Sequence, residues 1–259
     1  MKTRKIKRLA FLLSVLLSAI LATSVYMVCR EIHLQQKEKE AFAELASRIE
    51  QMETVPLTPE TGTESSAEES DTQTEVTTET LISSRNLTPL FEQNADCIGW
   101  IFIEGTTVNY PVMHTPGEPQ KYLRKNFDKE YSAAGVPFLD GRCGMDDENL
   151  IIYGHNRKDG SMFADLKKYL DAEFRKEHPV IELETAESIR VYQVTEVRIT
   201  DITDTWYQTI GKGLFEDERY LTLSTCYSSE KSRRLLIIAR EELCVYKDQS
   251  KPIGSVLLK

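Results

Sequence analysis

The sequence predicts a mainly β domain, closed or sandwiched and carrying helical insertions, tethered behind an N-terminal transmembrane helix. Three observations carry this reading. The stretch from Leu9 to Val28 holds no charge. An acidic, Thr-rich segment follows that contains too few apolar residues for a core. Beyond it come seven short apolar runs punctuated by Gly, Pro, Asn and Asp, the pattern of short strands between turns.

Lys2, Arg4, Lys5, Lys7 and Arg8 precede the uncharged stretch. Its length matches the ~20 apolar residues that a bilayer core requires and exceeds the roughly 7–15 of a signal-peptide core. Residues 1–30 therefore read as a basic cytoplasmic tip and an uncleaved signal anchor. Positive charge stays on the cytoplasmic side, which makes the chain a single-pass protein of the cell membrane with its working end outside. Over residues 31–52, Phe42, Leu45, Ile49 and Met52 recur at steps of three and four, predicting a juxtamembrane helix with one narrow apolar stripe. Residues 53–80 contain eight acidic residues, nine Thr and no Lys or Arg, so they read as a disordered, self-repelling spacer. The folded domain is expected at 81–259.

Composition excludes several functions. A formal charge of -9 over 259 residues argues against a nucleic-acid partner, which clustered Lys and Arg would mark. The five cysteines, Cys29, Cys97, Cys143, Cys226 and Cys244, form no CxxC pair and are too scattered for a disulfide scaffold or a structural zinc site. Asp146, Asp147 and Glu148 read as a solvated acidic loop rather than a calcium site. No metal or other cofactor is expected.

Within the domain, strands are predicted at Cys97 to Ile103, Thr107 to Val112, Asn149 to Tyr153, Val180 to Leu183, Ile189 to Thr200, Tyr220 to Thr225 and Leu235 to Ala239. Helices are predicted at Leu87 to Asn94 and from an N-cap at Ser161 through Phe163, Leu166, Leu170 and Phe174, ending before Pro179.

Few residues in this domain can carry chemistry. His33, His114 and His178 occupy a stalk, a turn and a pre-proline position, but His155 stands at the end of the apolar run Asn149-Leu-Ile-Ile-Tyr-Gly-His-Asn156. Cys226 similarly ends Tyr220-Leu-Thr-Leu-Ser-Thr-Cys226. After a short turn, Arg234 opens the run Leu235 to Ala239, and such a connection favours an antiparallel pair that brings Cys226 and Arg234 to one end of neighbouring strands. His155 reaches that end if its strand is adjacent. A thiol, an imidazole and a guanidinium together suit acyl transfer: nucleophile, proton carrier and oxyanion donor. Cys97, Cys143 and Cys244 read as inert. A papain-like hydrolase is disfavoured because its nucleophile precedes its histidine, whereas His155 precedes Cys226 by 71 residues. A non-catalytic, membrane-anchored surface module is the other alternative.

The run Thr222-Leu-Ser-Thr-Cys226 with Arg234 downstream and Tyr153-Gly-His-Asn156 upstream resembles the signature of the sortases, the cysteine transpeptidases of Gram-positive cell surfaces. The resemblance spans roughly Leu81 to Lys247. Class B is the nearest match, through the helical preface at Leu87 to Asn94, Asn109-Tyr-Pro-Val-Met113 leading to Lys121-Tyr-Leu-Arg-Lys-Asn-Phe127, and the long segment Asp201 to Arg219. It implies an eight-stranded β-barrel with short helices and a groove at one end, one strand more than the pattern reveals. It also implies that Cys226 attacks the Thr carbonyl of a C-terminal sorting motif in a secreted protein to form a thioester. An amine of the peptidoglycan precursor, or a pilin lysine, then releases the product. His155 is the implied proton shuttle and Arg234 the oxyanion donor, with Arg233 in reserve. Leu123, Thr203, Tyr207, Ile210 and Ser224 are the implied groove residues. Tyr227 stands where some relatives carry an acidic residue.

Overall fold

Short apolar runs from Cys97 onward bury their residues most completely when the sheet closes on itself, which also removes unpaired edges. The computed structural model describes residues 2–50, 85–216, 218–228, 230, 232–247 and 256–258. The strands among them are β1 (Cys97–Phe102), β2 (Asn109–Met113), β3 (Phe138–Leu139), β4 (Asn149–Tyr153), β5 (Val180–Thr185), β6 (Ser188–Asp201), β7 (Tyr220–Cys226), β8 (Arg233–Lys247) and β9 (Val256–Leu258). They run in the order β6-β5-β1-β2-β3-β4-β7-β8, and a further pairing of β6 with β8 joins the two ends into an eight-stranded barrel. β9 lies outside this circuit, pairing with the end of β8.

The closing seam is the longest ladder, from Ser188↔Tyr246 to Asp201↔Arg233. Its register shifts at Val191/Tyr192 and Val194/Glu196 are bulges, which add the bend and twist that closure needs. Pro111 sits in β2 opposite Trp100 of β1, and β3 pairs with β2 only at Met113, so the missing proline N–H interrupts no ladder on that side.

At the N-terminus one continuous helix, α1 (Lys2–Glu50), covers the predicted span and most of the predicted juxtamembrane helix. Its Phe11–Ile49 portion is long and apolar enough to cross a membrane by length and composition. The chain divides into two compact units, Met1–Glu44 and Leu45–Lys259. Within the second, Leu45 and Ile49 of the apolar stripe are buried. The spacer read at 53–80 lies outside the described residues.

The helix expected at Leu87 to Asn94 is present as α2 (Thr88–Gln93), with Pro in its first turn. β3 is the barrel strand that the apolar pattern did not reveal, because two residues are too short to display a period, and β9, outside the barrel, was not predicted either. The single helix expected after Ser161 is instead two pieces, a 3₁₀ segment at Ala164–Leu170 and α3 (Ala172–Glu177). The break is at Asp171, whose carboxylate accepts from the amides of Glu173 at 2.7 Å and Phe174 at 3.4 Å and so starts a new helix. Ser161 is not an N-cap; its hydroxyl donates to Asp159 at 2.6 Å.

A buried charge cluster ties the two ends of the barrel domain together. The Glu184 carboxylate on β5 accepts from the Arg85 amide at 2.8 Å and faces the Arg85 guanidinium at 3.3 Å and the Lys247 ammonium at 2.7 Å. Its side chain is 0% exposed. Breaking a buried pair strands the remaining charge, so Glu184→Ala is expected to lower stability by about 3–5 kcal/mol in equilibrium urea unfolding. A change under about 1 kcal/mol would show that water reaches this cluster.

Candidate active site

β4 and β7 pair in parallel, with Ile151 opposite Thr222 and Tyr153 opposite Ser224. Two residues further along each chain bring His155 level with Cys226, and the period-two alternation keeps both on the face of Tyr153 and Ser224. β7 and β8 pair antiparallel with Cys226 opposite Arg234 and Ser224 opposite Leu236. The three side chains singled out from the sequence therefore come from three successive sheet neighbours and share one face. The opposite face, with Leu150, Ile152, Leu221, Leu223, Leu235 and Ile237, is no more than 1% exposed and carries none of this chemistry.

The shared face is covered by the segment between β6 and β7. Tyr207 packs with Ile151, Leu236 and Ile238, and Trp206 and Ile210 pack against this cluster. The cover stops short of the strand ends, leaving a cavity of ≈ 430 Å³ lined by His155, Cys226 and Arg234 together with Leu123, Tyr207 and Ser224. Of the five predicted groove residues, Thr203 and Ile210 lie outside this lining. Thr203 turns back to donate its hydroxyl to Asp201 at 3.2 Å, Ile210 packs inward, and Ile202 lines the cavity instead.

Sequence reasoning missed the far wall, built by Asp140, Arg142 and Tyr153. Arg142 donates to both Asp140 oxygens, from Nε at 2.9 Å and Nη2 at 2.8 Å, and from Nη2 to the Tyr207 carbonyl at 3.0 Å. Tyr153 donates its hydroxyl to Asp140 at 2.8 Å, and Tyr207 shares a 2.8 Å hydrogen bond with Ser224. Burial opposes ionisation of Asp140, but the bonds from Arg142 and Tyr153 outweigh it and hold the carboxyl below its usual range. The only sequence signal for this wall was the Leu139-Asp-Gly141 turn, which carries no period.

His155 Nε2 lies 2.9 Å from the Leu123 carbonyl. A carbonyl only accepts, so the ring proton sits on Nε2 and the Nδ1 lone pair is the base of the neutral ring. Burial lowers the His155 pKa, the Leu123 bond raises it, and the charges of Arg124 and Arg157 lower it further. Arg124 is exposed and forms no ion pair with the described residues, whereas Arg157 pairs with Asp159 at 3.1 Å. Beside Cys226, the Tyr227 amide donates to the Arg233 carbonyl at 3.2 Å, so that N–H is already engaged. Arg233 is exposed opposite Asp201, and Arg234 is the arginine that lines the cavity.

The other buried thiols are poor nucleophiles. Desolvation pushes Cys97 up to about 12 and Cys143 to about 11, while Cys226 is only half buried. Among the described residues no group of His, Cys, Asp and Glu is arranged to hold a metal ion. Glu148 of the acidic loop instead accepts from the amides of Gly213, Leu214 and Phe215.

Comparison with known proteins places the chain among the sortases. Residues 101–242 match the sequence profile of the sortase domain. The chain is 34% identical over 177 residues to sortase B of Listeria monocytogenes, covering 58% of this chain and 72% of that protein. A Staphylococcus aureus sortase B–substrate complex superposes with a TM-score of 0.54 at 27% identity, over 60% of this chain and 83% of that one. A sortase B complexed with triglycine superposes with a TM-score of 0.55 at 28% identity, over 60% and 84%.

Because the folded His155 resists protonation, it is expected to titrate below the ordinary imidazole value of 6.5 when followed by NMR. Arg124→Gln removes a neighbouring cation and should move the midpoint upward. The unfolded chain binds a proton near pH 6.5 that the folded one refuses, so the His155 contribution to stability falls as pH drops through this value. A midpoint above 6.5 would contradict the burial argument.

Proposed function

The chain belongs to the sortase B family of cysteine transpeptidases, and on that premise we propose that Cys226, His155 and Arg234 transfer secreted proteins bearing a C-terminal sorting motif to an amine of the cell-wall precursor. The observation that supports this reading is the convergence of the three side chains on one cavity from three adjacent strands.

His155 Nδ1 takes the Cys226 proton, and the sulfur attacks the carbonyl of the residue before the scissile bond. Negative charge develops on that oxygen. Arg234 meets it, and its role is the larger because the Tyr227 amide is engaged with Arg233. Collapse of the tetrahedral species breaks the C–N bond as the imidazolium protonates the leaving amine, leaving a thioester on Cys226. The incoming amine repeats these steps in reverse, giving up its proton to His155 and restoring the thiol. A neutral imidazole at the start suits this cycle, since each half-reaction begins with proton abstraction.

The acyl donor occupies the groove lined by Leu123, Tyr207 and Ser224, and Arg142 joins the Asp140 turn to Tyr207. Relatives of the chain have been solved with a substrate and with triglycine, in keeping with an extended peptide donor and a peptide amine as acceptor. α1 would anchor the enzyme in the cell membrane with its catalytic domain outside, where both substrates pass.

Quenched sorting-motif peptides, assayed with and without an added amine, test this. Cys226→Ala is expected to abolish cleavage. Arg234→Ala is expected to cut kcat by about 10²–10³-fold, the usual cost of an oxyanion donor, while Arg233→Ala stays near wild type. Absence of cleavage by the wild-type protein across a broad peptide panel would overturn the reading.

A further inference from the structure

Beyond Tyr153 and Ser224 the ladder between β4 and β7 continues through substitutes. The Gly154 amide donates to the Ser224 carbonyl at 3.1 Å, and the Thr225 hydroxyl donates to the Gly154 carbonyl at 2.7 Å. The last rung is a side chain: the Asn156 carboxamide donates to the Cys226 carbonyl at 2.6 Å. Because a carbonyl cannot donate, only the NH₂ end of the amide fits there.

Asn156 is itself held in place. It bridges to Met162, whose amide donates to the Tyr110 hydroxyl at 3.0 Å. The Phe163 amide donates to the His155 carbonyl at 2.8 Å, and the Phe163 ring packs on Gly154 so closely that a Cβ there would lie 2.5 Å from it. The donor thus belongs to the same braced turn that carries His155. On its other side the peptide after Cys226 is fixed by the Tyr227 bond to Arg233.

We propose that Asn156 is a positioning residue: by clamping the Cys226 carbonyl it holds the thiol level with His155 and Arg234. This rests on the transpeptidase reading above. Asn156 touches no reacting atom, so its effect falls on the chemical step. A misplacement of about 1 Å at a nucleophile can cost about 100-fold.

The test compares Asn156→Ala and Asn156→Asp with wild type in the full-length protein. Both variants should lower kcat by about 10- to 100-fold with KM nearly unchanged and only a small loss in melting temperature. An ionised carboxylate cannot donate to the Cys226 carbonyl, but a protonated one can. The ratio of Asn156→Asp to wild-type activity should therefore rise as pH is lowered from about 7 toward about 4.5, while the Asn156→Ala ratio stays flat. Wild-type kcat in both variants, or an equally flat ratio in both, would overturn the proposal. If the wild-type protein cleaves no peptide, the function reading fails separately, and the comparison is then made on alkylation of Cys226 by iodoacetamide. There the Asn156→Asp rate should depart from wild type at neutral pH and converge on it at low pH; superimposable profiles would overturn the clamp.

Discussion

Register between neighbouring strands is the constraint from which the rest follows. β4, β7 and β8 lie side by side, and their pairings align His155, Cys226 and Arg234 across the sheet. A slip of one residue in either ladder would turn a side chain to the opposite face, into the packing of Leu221, Leu223 and Ile237. The hydrophobic face guards against that slip, because each of those residues would have to surface in exchange. The alignment of these three side chains and the burial of the core are thus enforced by the same register.

The segment between β6 and β7 turns this aligned face into a groove. It is fastened at several points near the start of β4. Asn149 donates to the Thr209 hydroxyl at 2.9 Å and accepts from Thr222 at 2.9 Å, and the Glu148 carboxylate gathers three consecutive amides at 213–215. Together with the Tyr207–Ser224 hydrogen bond, these anchors hold the segment over Ile151 and Ile238 while the neighbourhood of Cys226 stays open.

Electrostatics at the site run against the character of the whole chain. The formal charge is -9, yet the charges of Arg124 and Arg157 act on His155, Arg234 lines the same cavity as His155 and Cys226, and the buried Asp140 is neutralised by Arg142. Positive surroundings disfavour a charged imidazole. Burial alone would move His155 in the same direction, so two independent effects favour the neutral ring.

Much of this was legible in the primary structure. The apolar run from Asn149 to Tyr153 and the strand-like run from Tyr220 to Cys226 marked both strands and the residues at their ends, and the uncharged run from Leu9 marked the apolar helix. β3 was hidden because two residues show no period, and the break at Asp171 because one carboxylate outweighed an otherwise helical pattern. The far wall of the groove was hidden because Asp140 and Arg142 acquire meaning only from Tyr153 and Tyr207, which lie elsewhere in the chain. Local pattern determined which residues stand at strand ends and which face each takes, since both depend on neighbours in sequence. Tertiary structure alone decided that β4 lies beside β7, that Ile202 rather than Thr203 meets the cavity, and that Asn156 reaches Cys226. These depend on contacts between residues far apart along the chain, and the free energy of such contacts exists only once the barrel has closed.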